Sequence, residues 1–229
     1  MATSVLQELA CQTIDKREPE LYQISQDIWN NPELELEEQH AHDVLTSLLK
    51  KEGFDVEENF ILPTGFRAVF GTDVGPNICV ICEYDALPEI GHGSGRNLVT
   101  ECTIASALGL KKVIRTSMAA RKSVGKVTVL GCPASESGGA KVDMLTAGVF
   151  QNIDVVMKSQ PQHHNIAKAV LLDMLQMKVT YSGKPTHASL PWEGRNALDA
   201  AVLCYNNIAA LRQQTKTSMQ IHGKSISLE

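Results

Sequence analysis

The sequence predicts a layered α/β domain followed by a smaller second unit, on three observations. Two apolar runs, NICVICEYDA (residues 77–86) and KVTVLGCP (126–133), lack polar alternation, as strands covered on both faces do. Stretches of helical periodicity precede, separate and follow them, the order of a layered α/β fold. Near residue 171 the pattern becomes alternating, which marks a half-exposed antiparallel strand and a change of unit.

The elements follow in order. Residues 6–29 carry apolar side chains at helical spacing (Leu6, Leu9, Ala10, Ile14, then Leu21, Ile24, Ile28), and Pro19 predicts a restart within them. Asn31-Pro32-Glu33 stops the pattern. A second helical stretch spans 35–51, with Val44, Leu45, Leu48 and Leu49 inward and Gly53 as its stop. His40 and His42 lie two apart on it, on different faces, and are expected to be solvated. Extended segments at 54–60, 66–71 and 77–86 come next, then a helix over 97–114, the strand at 126–133, a short helix at 138–147 and a strand at 155–157. The second unit is expected to read β-α-β: a strand at 171–182, a loop of turn formers, a helix at 197–212 and a strand at 219–226. The boundary falls near residues 167–172, which gives units 1–170 and 171–229.

Composition narrows the function classes. The chain has 229 residues, 43% of them apolar, enough for one good core or for one core plus a small appendage. Its net charge of −5 is scattered, without a Lys/Arg block, so neither a nucleic-acid nor a membrane partner is expected. The first residues lack the apolar core of a signal peptide, and no apolar run approaches the roughly 20 residues that span a bilayer. The six cysteines are far apart and mostly in apolar segments. Cys79 and Cys82 have the spacing of a redox or zinc pair, but on a strand an offset of three sends their side chains to opposite faces. Buried reduced thiols and a cytoplasmic location are expected.

Three loops follow strand ends: residues 85–97, 131–139 and 158–165. Strand-end loops carrying carboxylates and histidines are where a hydrolytic metal site would be assembled. Such a site needs several N, O or S ligands and a carboxylate that takes a proton from bound water.

Within these loops EYDALPEIGH, the Pro133–Glu136 stretch PASE, and GKPTHASLPWEGRNALDA resemble metallopeptidase family 20, the zinc aminoacylase, carboxypeptidase and dipeptidase superfamily. Within it the amidohydrolase-like branch, which contains a cytosolic β-alanyl-lysine dipeptidase, is the most similar. The resemblance runs from the first helices to about Gly223. It implies a zinc-exopeptidase-like α/β domain, here incomplete, followed by the start of a ferredoxin-like lid and dimerisation domain. It also implies association through that lid, as a homo-oligomer or with a partner chain, and a small peptide-like ligand.

The same resemblance marks departures. Where the family has GHACGHN, this chain has Gly91-His92-Gly93-Ser94-Gly95-Arg96-Asn97, so Ser94 and Arg96 stand at metal-ligand positions. The family's PAEE becomes Pro133-Ala134-Ser135-Glu136: Ser135 stands at the general-base position and Glu136 keeps the metal carboxylate. A family His before Pro becomes Gln160. His92 matches a non-ligand His, Asp85 and Glu83 match strand-end carboxylates, and His187 matches the lid His that reaches the substrate. Trp192 is expected to pack under the lid loop. The lid pattern breaks after Gly223, so an incomplete lid and an incomplete sheet are expected.

A serine hydroxyl stays protonated near neutral pH and binds zinc poorly beside a thiolate. Arginine keeps its charge, and a fixed cation near a dication is strongly repulsive in a dry site. A serine cannot serve as the carboxylate base. The sequence therefore points to a disarmed relative, expected to hold no metal cofactor, in which Arg96 replaces the metal charge by holding Glu136 first and Asp85 second. Two alternatives stay open. One is an active zinc dipeptidase with a rearranged shell of Asp85, His92, Glu136 and His163 or His164. The other is a fragment without independent activity.

Overall fold

The computed structural model describes residues 3–136, 139–162, 175 and 177–223. The chain divides into two compact units, Met1–His163 and His164–Glu229. The boundary expected near 167–172 lies outside the described residues.

The first unit opens with α1 (Thr3–Asp15) and α2 (Glu18–Asn30). Pro19 sits in the first turn of α2, where its missing N–H costs nothing. Leu21, Ile24, Ser25 and Ile28 form the buried stripe of α2 at spacings of three and four. The third helix, α3 (Gln39–Lys51), starts four residues later than its apolar pattern suggests. The carboxylate of Glu33 accepts from the backbone N–H of His40 (2.7 Å) and Ala41 (2.9 Å), supplying acceptors to the helix start from outside it. Gly53, at φ +80°, stops it as expected. Leu45 and Leu49 are fully buried, while Val44 and Leu48 are half-buried.

His42 corrects the expectation of a solvated side chain. It is buried, with its ring edge-on to Phe66 at 6.2 Å and its Nδ1 3.0 Å from Asp43 Oδ1. His40 is half-buried and meets Asp27 at 3.0 Å. Polarity misled here, because one edge of an imidazole can pack while the other finds a carboxylate.

The sheet contains β1 (Asp55–Glu58), β2 (Phe66–Gly71), β3 (Asn77–Cys82), β4 (Lys126–Gly131) and β5 (Val155–Met157), in the order β1-β2-β4-β3-β5. β2 is antiparallel to β1 and β4, whereas β3 is parallel to β4 and β5. The helix α4 (Arg96–Ala119) links β3 to β4, and α5 (Ala140–Thr146) lies between β4 and β5. On one face of the sheet, Val80, Cys82, Val127 and Val129 pack with α2, α3 and α4. On the other, Cys79, Ile81, Leu130 and Cys132 pack with Met144 of α5. Cys79 and Cys82 therefore do point to opposite faces. Burial pushes both thiols up to about 12, so neither supplies a thiolate at neutral pH.

In the second unit, α6 (Ala197–Leu211) is capped by Asn196, whose Oδ1 accepts from Leu198 N and Asp199 N. Lys184 and Arg195 exchange backbone hydrogen bonds of 3.0 Å. The strands expected at 171–182 and 219–226 are not formed by the described residues among them, and residues 171–174, 176 and 224–226 lie outside the description. An alternating pattern makes a strand only where its N–H and C=O groups meet a neighbouring strand, and the described residues of this unit offer none. Trp192 is 74% exposed, not packed beneath a loop as expected.

Candidate active site

Because β3, β4 and β5 run parallel, the loops after them leave the same edge of the sheet, at its carboxyl end. Glu83 and Asp85 leave β3, Ser135 and Glu136 follow β4, and Lys158 and Gln160 follow β5. Gly95, at φ +76°, turns the first loop into α4, so that Arg96 begins the helix.

Arg96 is buried and joins all three loops. Its Nε donates to Glu136 Oε1 at 2.8 Å, and its Nη1 donates to Glu83 Oε2 and, at 3.2 Å, to Gln160 Oε1. Ser94 Oγ donates to the same Glu136 oxygen. Glu83 is fully buried and meets two further cations: Lys141 Nζ lies 2.6 Å from Oε1 and Lys158 Nζ 3.0 Å from Oε2. Burial alone would raise the pKa of Glu83. The charges of Lys141, Arg96 and Lys158 outweigh it and hold the carboxyl below its usual value.

Asp85 has different partners. Ser135 Oγ donates to its Oδ1, and Glu136 N donates to its Oδ2 at 2.7 Å. The expected second contact of Arg96, to Asp85, is therefore replaced by one to Glu83. Glu83 and Asp85 are both fully buried, and Asp85 is occupied with the backbone turn that carries Glu136.

The other expected residues are more scattered. His92 is buried in the first loop, where burial lowers its pKa against the opposing pull of the Ile28 backbone, Asp85 and Glu33. His187 belongs to the second unit, is exposed, and shares a 2.8 Å hydrogen bond with Ser189. His163 and His164 lie outside the described residues. Among the described residues, no group of three His, Cys, Asp or Glu side chains is arranged to hold a metal ion.

Lys141, Lys158 and Glu38 were missed in the sequence. Lys158 had a usable signal, since it directly follows the last residue of β5 at the strand's carboxyl end. Glu38 lies among three other acids in residues 33–38 and gave none, yet it is fully buried and accepts from Ala134 N at 2.8 Å and from Thr64 Oγ1 at 2.6 Å. It thereby supports the turn before Ser135.

The comparisons with known proteins agree with this architecture. No protein-family profile matches the chain. Mouse Xaa-Arg dipeptidase is 44% identical over 232 residues, which cover 96% of this chain and 53% of that protein. A p-aminobenzoyl-glutamate hydrolase polypeptide of Escherichia coli is 30% identical, over 87% of this chain and 44% of its own length. The chain thus spans about half the length of the curated relatives it matches. Among solved structures, a Staphylococcus aureus protein described as an aminohydrolase aligns with a TM-score of 0.62 at 20% identity, over 92% of this chain and 58% of its own. A Bacillus subtilis protein described as a dinuclear metal-binding peptidase of the M20 family aligns with a TM-score of 0.51 at 23% identity, over 62% of this chain and 42% of its own. Sequence likeness to the dipeptidase, the shared fold and the three converging loops lead to one assignment: the chain belongs to the M20 metallopeptidase family.

Proposed function

We propose that this chain is a non-hydrolytic relative of the dipeptidases, which binds a small peptide-like ligand or a partner chain at a centre built from ion pairs. The observation that carries the reading is the Arg96 guanidinium bonded to Glu83, Glu136 and Gln160 at the meeting point of the loops. Two of those residues, Arg96 and Gln160, and also Ser94, stand where the family resemblance puts metal ligands. The donor set does not fit a pair of metal ions. The carboxylate best suited to a metal, Glu136, already accepts from Arg96 and Ser94, and a permanent cation occupies its side of the site. Ser135, at the base position, donates its hydroxyl to Asp85 and offers no carboxylate to take a proton from water.

Elemental analysis of dialysed protein, run beside turnover assays on Xaa-Arg and β-alanyl-lysine dipeptides, tests the reading. Less than about 0.1 zinc per chain and no turnover are expected; stoichiometric zinc with turnover overturns it. The 44% identity to mouse Xaa-Arg dipeptidase favours a second reading, an active dipeptidase in which Arg96 swings away and Asp85, His92, Glu136 and His163 or His164 hold zinc. The same two measurements separate the readings. Self-association through the second unit belongs to the first reading, and light scattering tests it. Among the described residues no helix is long and apolar enough to cross a membrane.

A further inference from the structure

We infer that the rim of this centre is a carboxylate-binding site formed by Lys141 and Lys158, an inference that rests on the ion-pair reading above. A buried carboxylate is satisfied by one well-placed cation, and Glu83 has three. Arg96 neutralises it from below while also bonding Glu136. The network of ionic contacts therefore joins three cations to two acids, Glu83 and Glu136. Asp85 touches none of the three cations, being held by Ser135 and the backbone of Glu136. Among the groups in direct ionic contact, the cations outnumber the acids by one.

Exposure says where that charge lies. Glu83 is fully buried and the Arg96 side chain is 9% exposed, whereas the side chains of Lys141 and Lys158 are each 31% exposed. The two ammonium groups meet different oxygens of one carboxylate, at 2.6 and 3.0 Å. Each ammonium has three donors; Lys141 uses one on Glu83, and Lys158 meets Glu83 as an ion pair at 3.0 Å. Among the described residues, neither lysine has another acidic partner. Gln160 adds a neutral donor: its Oε1 faces Arg96, which directs its amide N–H groups away from the guanidinium. Two cationic donors on one carboxylate and an amide suit a monoanion with two acceptor oxygens. That describes a ligand carboxylate, such as the end of a short peptide or an N-acyl amino acid. The field of the lysines would also draw such an anion into the cleft.

The test uses the full chain after dialysis against a chelator, with calorimetric titration of N-acetylglycine, its neutral amide and inorganic phosphate at low salt. Saturable binding of N-acetylglycine is expected, with the neutral amide at least about tenfold weaker. The Lys158→Gln variant should lose at least about tenfold in affinity, since a charged hydrogen bond contributes that much. Its fold is preserved because Glu83 retains Arg96 and Lys141, and a thermal melt of the variant confirms this. Lys141→Gln is the second variant and should weaken binding likewise. Equal affinity for acid and amide, binding of phosphate alone, or unchanged affinity in both variants overturns the inference. Zinc content and dipeptide turnover are measured on the same sample. Zinc-loaded, active protein defeats the underlying reading, while metal-free, inactive protein that ignores N-acetylglycine defeats only the lysine site.

Discussion

Arg96 Nε lies 2.8 Å from Glu136 Oε1, and this pair joins the start of α4 to the loop after β4. Through Nη1 the same guanidinium reaches Glu83 and Gln160, so one side chain closes three loops. Only a planar fork with several donors can do this, and a lysine could not reproduce it. Arg96→Ala leaves Glu136 without its cation while Glu83 keeps Lys141 and Lys158, which costs about 3 kcal/mol. Arg96→Lys should recover part of the loss. Glu83 has a folded pKa below its ordinary value, so its stabilisation is full above the ordinary carboxylate range and fades as pH falls through the folded value. The gap between parent and Arg96→Ala should therefore be wide at pH 7 and narrow in acid. Urea unfolding at pH 7 and pH 3 measures both, and an Ala variant as stable as the parent at pH 7 ends the proposal.

A second carboxylate ties helices together away from the site. Glu52, just after α3, accepts from Arg17 at 2.8 Å and pairs with Lys111 of α4 at 2.8 Å. Arg17 chiefly, with Lys111, lowers its pKa to about 2 against the opposing effect of burial. The stabilisation is present above the ordinary Glu value and is lost as pH falls towards about 2. The group is half-buried and its partner Arg17 is 28% exposed, so screening reduces its worth to about 1 kcal/mol. Glu52→Gln should lower the melting temperature by a few degrees at pH 7 and leave it unchanged near pH 2. An equal loss at both pH values would assign the effect to packing.

Much of this architecture was legible in the sequence, for reasons that differ by residue. The opposite facing of Cys79 and Cys82 follows from the two-residue period of a strand, which tertiary context seldom alters. The Arg96–Glu136 pair was legible because the family resemblance set a cation and a carboxylate at neighbouring metal-ligand positions. Glu83 as the hub was not. It lies two residues from Asp85, and that spacing gives both acids the same side of an extended chain, so it cannot decide which one Arg96 meets. The strand order was also hidden, because the insertion of β4 between β2 and β3 depends on long-range pairing that leaves no local pattern. Among the described residues, 177–182 alternate without a strand partner, so periodicity reports a side-chain pattern and not its partner.

Gly131 ends β4 directly opposite Phe66 of β2. A Cβ built there would stand 2.3 Å from Cδ1 and Cε1 of the Phe66 ring. That ring is fully buried and stacks on Tyr84 with centroids 5.9 Å apart, and Tyr84 Oη donates to Thr64 O at 2.6 Å. The ring has little room to yield. Gly131→Ala should destabilise the protein by about 1–3 kcal/mol through overpacking. At Gly139 a Cβ meets nothing within 4 Å among the described residues, so Gly139→Ala should stay within about 0.5 kcal/mol of the parent. Thermal melts of the two variants make the comparison, and equal effects would refute the packing account.

Glu38 sets the turn that presents Ser135 and Glu136. Its Oε1 accepts from Ala134 N at 2.8 Å, and Ala134 has a positive φ of 49°, a conformation that costs energy for a residue with a Cβ. Thr64 Oγ1 donates to the other oxygen at 2.6 Å. Burial raises the pKa of Glu38, and the hydrogen bonds from Thr64 and Ala134 oppose it without cancelling it. For an acid with a raised folded pKa, the favourable contribution is complete below the ordinary Glu value and is lost as pH rises through the folded value. A glutamine is neutral throughout, can accept from Ala134 N and can donate to Thr64. Glu38→Gln should therefore match the parent at pH 4 and equal or exceed it at pH 8. Glu38→Ala leaves the Ala134 N–H and the Thr64 hydroxyl without this acceptor and should cost about 1–3 kcal/mol at both pH values. Hydrogen exchange at Ala134 supplies the local readout: slow in the parent and the Gln variant, faster in the Ala variant. A Gln variant clearly less stable than the parent at pH 8 would show that the ionised carboxylate, not its shape and hydrogen bonds, holds the turn.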